Sequence, residues 1–542
     1  YSYTSNSTNT GTTYLGTTRG KDGYRELAFQ AKIDYARTFG KHDVGATIVY
    51  MQKERNMNIS DEQEYAALPY RQQGLAGRVT YGFDKRYLFE ANFGYNGSEN
   101  FSPGKRFGFF PSVAAGYVIS NEKFFEPVRG VIDLLKIKAS YGIVGNDKIG
   151  TGDNVRRFIY NETVVPGNSY NFGTSTQSYA GTRLGDWANP NVGWEEAHKL
   201  NVGVDLSLFS KLKISADYFK ERREGIFLKR ASIPVYVGLS TKPWVNIGKM
   251  RNSGVDASLE YHQTIGQDLH LTVRGNFTYA RNMIVDQDQP DYKYLYMNRT
   301  GQARYQTFGL VAAGLFRDQA DIDAWPKQSF GDVEPGDIKY LDLDGSGIVD
   351  GGKGTLEDPG DRRVIGNSSP RYQYGLTLNL SWYGFDLSVF MQGIGRLDWY
   401  PGADNLRFWG PYSRPYATFI PKNFMSQVWS EENPDAYFPR ARAYTSLNSN
   451  SGTAYYTNDR YLQNLAYCRL KNLTIGYTIP RRLTSKVGIK ECRIYFSGEN
   501  LATWSALKSD FLDPEQAAAD SDKKANVYPW CKTYSIGLNL TF

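Results

Sequence analysis

The stretch "DLDGSGIVDGG" places Asp342, Asp344, Ser346 and Asp350 at positions 1, 3, 5 and 9 of a loop with EF-hand spacing. Gly347 falls where such a loop turns sharply, and the Ile348 carbonyl falls at the next ligand position. Hard oxygen donors at alternate positions suit a structural Ca2+. Lys353 stands where a bidentate Glu would be expected, so Asp358 or Asp361 would have to complete the shell. Asp and Gly at this density also build tight turns unaided, and spacing does not separate the two readings. A second stretch, "DWYPGADNLRFWGPYSRPY", carries Trp399, Tyr400, Arg407, Phe408, Trp409, Tyr412 and Arg414. Ring faces beside cations can stack on sugars, hold a peptide or dock a partner, and the same residues can pack a loop. No nucleophile elbow, phosphate loop, HExxH or dinucleotide fingerprint is present. "WEE" at Trp194 to Glu196 reads as a strand rim rather than a catalytic carboxylate pair. No catalytic site and no cofactor for catalysis are expected.

The elements around these residues are strands. The segment "TYSIGLNLTF" puts Tyr534, Ile536, Leu538, Leu540 and Phe542 on one face and Ser535, Gly537, Asn539 and Thr541 on the other. "KLNVGVDLSLF" and "LKISADYF" repeat that pattern as a hairpin, and "DLHLTVRGNFTY" and "YQYGLTLNLSW" repeat it again. Asp205, Lys213, Asp217 and Arg274 fall on the second face, where burial in a soluble sandwich would be costly. A wet lumen accepts them, and lipid accepts the first face. The alternation predicts about 15 strands, over 25–39, 42–55, 75–83, 86–96, 108–119, 133–143, 194–208, 212–228, 246–262, 268–281, 371–382, 384–395, 464–479, 491–503 and 531–542. Mostly short links alternate with long ones, among them 144–193, 282–370 and 396–463, as periplasmic turns alternate with external loops. Both loops singled out above are then external. The first of these strands runs inward, so strands are expected upstream of it. The chain therefore reads as the C-terminal part of a larger transmembrane antiparallel β-barrel.

Composition agrees. With 542 residues, 54 glycines, 41 tyrosines and no linker tract, one large architecture is the simpler account. A mean hydropathy of −0.51 with no long apolar run excludes a spanning helix and leaves a barrel open. The net charge of +7 is spread along the chain, and without a basic stripe no nucleic acid partner is expected. Cys468, Cys492 and Cys531 show no metal or redox spacing; they read as isolated strand thiols, and one bridge stays open.

Ten segments in order, including "GRVTYGFDKRYLFEANFGYNGSENF", "NPNVGWEEAHKLNVGVD", "IGKMRNSGVDASLEY", "RLKNLTIGYTIP", "YFSGENLATW" and "YPWCKTYSIGLNLTF", resemble the SusC/RagA-like branch of TonB-dependent outer-membrane transporters. The resemblance implies a barrel of about 22 strands around a plug. It implies an importer of oligosaccharides or oligopeptides, energised by the TonB-ExbB-ExbD complex. The implied partner is a SusD-like surface lipoprotein seated as a lid, in a dimer of pairs within the outer-membrane lipid. The plug, the TonB box and the first strands are expected outside 1–542. The resemblance also makes Ser535, Gly537, Leu540 and Phe542 a barrel-assembly signal, and adds the lid to the possible contacts of Trp399, Tyr400, Arg407, Trp409, Tyr412 and Arg414. A barrel enzyme and a surface receptor without transport are the alternatives.

Overall fold

The computed structural model describes residues 23–58, 68–149, 156–172, 177–239, 241–289, 297–353, 355, 358–403, 405–412, 420, 422–442, 456–509, 512–519 and 530–542. Fifteen strands form one antiparallel sheet in strict chain order. They are β1 (Gly23–Phe39), β2 (His42–Asn58), β3 (Tyr70–Phe83), β4 (Tyr87–Ser98), β5 (Phe107–Val118), β6 (Ile132–Asn146), β7 (Glu195–Leu208) and β8 (Leu212–Lys229). Then come β9 (Trp244–Ile265), β10 (Leu269–Asp286), β11 (Tyr372–Trp382), β12 (Phe385–Ile394), β13 (Tyr467–Ile479), β14 (Glu491–Ser505) and β15 (Thr533–Thr541). β1 and β15 are the two edges of the sheet.

The alternation sets the register. Val204 faces Ile137 on one side and Ala216 on the other; Leu378 sits between Val273 and Val389; Ile494 sits between Tyr477 and Leu538. The matches continue an apolar face across the sheet, and that face is bare, with Ile33 72% and Ile536 84% exposed. An apolar surface this continuous needs a partner that is not water. On the other face, Lys138 Nζ reaches Asp205 at 2.9 Å and Asp217 at 3.2 Å. Arg78 meets Glu90 at 2.6 Å, Arg274 meets Glu260 at 3.1 Å and Arg493 meets Asp386 at 2.5 Å. Of the charges that alternation assigned to the second face, Asp205, Asp217 and Arg274 therefore lie there, joined across strands.

Several strands outrun their expected bounds, β3, β9 and β10 among them. β3 begins at Tyr70 because Tyr70–Gln73 continues the ladder against Gln52–Arg55, although its side chains are polar on both faces. β9 and β10 extend for the same reason: hydrogen bonding persists where apolar alternation stops. The two-residue reversal Tyr383-Gly384 between β11 and β12 has φ of 46° and 86°, the left-handed pair whose twist matches a hairpin.

Because all pairs are antiparallel, the short links 40–41, 84–86, 119–131, 209–211, 266–268, 383–384 and 480–490 gather at one end. The link 119–131 is compact: it folds as two 3-10 turns, with Glu122 accepting from Arg86 at 2.7 Å and from Tyr87 Oη at 2.8 Å. The other end carries the long connections, chiefly 147–194, 287–371 and 395–466. The main buried apolar core lies in these connections and not in the sheet. Leu310, Ile338, Tyr340, Val349, Phe408, Trp409, Phe424, Phe438 and Tyr461 pack from 287–371 and 395–466 into one cluster. Among the described residues no helix is long and apolar enough to cross a membrane.

Candidate functional site

The acidic loop belongs to this packed assembly. Ile338–Tyr340 and Ile348–Val349 are short strands anchored in the core, and they hold the intervening turn between them. Carboxylate oxygens of Asp342, Asp344 and Asp361 converge within 4.8 Å of one another. Asp361, brought back from beyond the expected loop, is fully buried and accepts from the N–H groups of Leu343 at 2.6 Å and Asp350 at 2.8 Å. Asp342 accepts from Gly345 at 2.7 Å and Gly347 at 2.8 Å. Burial, with the Asp344 charge beside it, pushes the Asp361 carboxyl above the usual carboxylate range. Among the described residues no Lys or Arg pairs with the three carboxylates, so oxygen donors and excess negative charge fit a hard cation.

The rest of the expected ligand set is not gathered. Ser346 Oγ donates to the Ile348 carbonyl at 2.9 Å, so those two groups satisfy each other. The Asp350 carboxylate turns to the Gly352 N–H at 2.8 Å. Asp358 pairs with Lys353 at 3.1 Å, so of the two acids expected to join the loop only Asp361 lies with Asp342 and Asp344.

The aromatic stretch has a different fate. Trp399, Tyr400, Trp409 and Tyr412 are buried. Trp409 packs against Phe408 and Tyr461 with centroids at 4.7 and 5.0 Å, and its Nε1 donates to the Gly402 carbonyl at 2.8 Å. Tyr412 Oη donates to the Pro439 carbonyl at 2.6 Å. These rings are structural core, and the expected substrate or lid contact does not hold for them because no ring face is left open. Arg407 is exposed, and Arg414 lies outside the described residues.

Sequence reading missed the residues that lock the two loops together. Asn458, fully buried, donates to Tyr340 Oη at 3.2 Å, Tyr400 Oη at 3.3 Å and the Tyr456 carbonyl at 2.8 Å. Arg442 joins Asp337 at 2.7 Å and Glu334 at 3.1 Å across more than a hundred residues. Burial pushes the Tyr340 and Tyr461 hydroxyls well above their ordinary range, so both stay neutral, Tyr340 Oη accepting from Asn458 and Tyr461 Oη donating to the Tyr437 carbonyl. The aromatic richness of 424–461 was the available signal.

At the edge strand, β15 pairs with β14 from Thr533 to Thr541. Lys490 Nζ donates to the Phe542 carbonyl at 2.7 Å. Gly537 lies opposite Tyr495, and a Cβ there would run into the tyrosine ring. A side chain at 537 would therefore have to displace that ring.

A sheet with one face bare and apolar, the other charged, and folded loops at one end is the wall of a barrel in lipid. The model of the family "TonB dependent receptor-like, beta-barrel" matches residues 1–501. The chain belongs to this family. It is 28% identical over 490 residues to TonB-dependent receptor P3 of Formosa agariphila, covering 86% of this chain and 45% of that protein. It is 25% identical over 505 residues to TonB-dependent receptor SusC of Bacteroides thetaiotaomicron, covering 91% and 46%. It thus spans about half the length of the curated relatives it matches. In fold it is similar to the RagAB peptide transporter, with a TM-score of 0.68 at 20% identity over 96% of this chain and 56% of that one. The expected all-β class and outer-membrane location follow from membership in the family, whose members are transporters and receptors rather than enzymes.

Proposed function

We propose that the whole protein imports oligosaccharides or oligopeptides across the outer membrane, and that this chain is the C-terminal part of its barrel. Further strands, a plug and a TonB box would be supplied from outside 1–542. The observation that carries the reading is the folded assembly of 287–371 and 395–466, standing on the long-loop end of a lipid-facing sheet. A wall needs no such structure, whereas a receptor that must engage something above the pore does. The relative named SusC and the neighbour named a peptide transporter support import. The reading includes energy from TonB-ExbB-ExbD and a SusD-like lipoprotein lid, two such pairs forming a dimer. It also includes a structural Ca2+ held by Asp342, Asp344 and Asp361, and an assembly signal at Ser535, Gly537, Leu540 and Phe542.

Uptake by cells with and without the gene, and with TonB removed, tests the proposal. Import that needs both is expected. Uptake that persists without TonB, or a null strain that feeds normally on every oligosaccharide and peptide its parent uses, overturns it.

A further inference from the structure

The long-loop ends of β6 to β10 enclose, with residues 299–308, a cavity of about 1200 Å3. It opens on the polar face, since Asn252 in its wall is in register with Glu221 and Asn282 and alternates with the apolar face. Six cationic side chains reach the wall: Lys148, Arg156, Arg223, Lys249, Arg299 and Arg304. Only three carboxylates do so: Glu195, Glu221 and Asp286. Arg223 holds two of these, Glu195 at 3.1 Å and Glu221 at 2.9 Å. Arg156 pairs with Asp186. Among the described residues Lys148, Lys249, Arg299 and Arg304 have no carboxylate within ion-pair distance, so the cavity holds an excess of positive charge. Concave walls of low dielectric concentrate such a field.

The remaining lining is suited to sugars. The Arg299 guanidinium lies 5.2 Å from the Phe308 ring centroid, and that of Arg304 lies 4.6 Å from Tyr305; ring faces rather than acids hold these two cations. Tyr305 is 55% exposed and sits at a left-handed φ of 62°, a strained backbone, and its ring, with Arg304 against it, borders the cavity. Trp244 Nε1 is buried in the wall without a hydrogen-bond partner among the described residues. Asn252, Asn282 and Gln306 add amides that donate and accept, as hydroxyl-rich ligands require. Within the sheet β6 to β10 are each paired on both sides, which leaves a peptide only the staggered strand ends to extend.

We propose that this cavity is a subsite for an acidic oligosaccharide, with anionic groups held by Lys249, Arg299 and Arg304 and a sugar ring stacked on Tyr305. The proposal deepens the import reading by naming a substrate class, and it rests on that reading only for the direction of passage. The test is equilibrium binding to the purified full-length transporter with its lipoprotein. The probes are trigalacturonate, a sulfated trisaccharide of similar size, maltotriose and triglutamate. Binding of one or both acidic sugars is expected, and which one binds distinguishes carboxylate from sulfate recognition. Affinity should fall about tenfold or more between low and high salt. It should fall by a similar factor in R299Q/R304Q, whose sites are exposed, and recover in R299K/R304K. Maltotriose binding as tightly as the acidic sugars overturns the proposal, as does triglutamate binding with the same dependence on the two arginines or no loss in R299Q/R304Q protein that retains heat-modifiable mobility. Acidic-sugar binding without cellular uptake keeps the subsite and defeats import. Uptake with no acidic-sugar binding does the reverse.

Discussion

Asp361 shows how a single carboxyl reports on its loop. Its folded-state pKa is raised by burial and by Asp344, so in the absence of a cation the charged form is the costly one. The loop is then more stable with Asp361 protonated, and stability is lost as pH rises above the ordinary aspartate value of about 3.9 through the raised one. In chelator, proteolysis of 341–361 should therefore be faster near neutral pH than in mild acid, and added Ca2+ should abolish the difference. Protection that ignores both Ca2+ and D361N would return the loop to a plain turn. Asn458→Ala removes the buried amide that donates to the Tyr340 and Tyr400 hydroxyls and to the Tyr456 carbonyl and should cost about 1–3 kcal/mol, read as a lower melting temperature of the loop assembly with an intact barrel. At the chain end, deletion of Phe542 should lower the amount of assembled, heat-modifiable barrel in the outer membrane; unchanged levels would remove the assembly role.

For the strands, the decisive property is which face a position occupies. Val204 lies between Ile137 and Ala216 on the apolar face, while its neighbour Asp205 meets Lys138 on the polar one. Val204→Arg or Leu378→Arg near the bilayer midplane should cost about 2–4 kcal/mol. Asn379→Ser, at the next position along β11, should cost well under that because water reaches its face. Urea titration of folded protein in detergent or lipid distinguishes these outcomes, and equal tolerance on both faces would contradict a lipid-facing sheet.

At the level of the whole molecule, the loop assembly is the part that a partner would meet. Loops far beyond the usual 12–15 residues are functional as a rule, and the described residues of 287–371 and 395–466 share one aromatic core. Gentle detergent extraction should recover the protein together with a SusD-like lipoprotein, and disrupting the core at Trp409 should release that partner while leaving barrel levels unchanged. A barrel that emerges alone and still imports in cells lacking the lipoprotein would replace the lid by a single-component route.

What sequence alone determined was the sheet: strand positions, faces and the sorting of links follow from period-two alternation, which is local and needs only neighbouring residues. Even there it stopped at Tyr70–Gln73, where pairing continues without an apolar signal. The candidate loops were legible as composition and opaque as geometry. Asp361 reaches the acidic turn from outside its motif, and Trp409 and Tyr412 become core because Phe424, Phe438 and Tyr461 pack with them. Those contacts join segments tens to more than a hundred residues apart, for example Arg442 to Asp337. No local pattern encodes which distant surface will close over a ring, so tertiary structure alone decided that these aromatics hold the loops together instead of meeting a ligand.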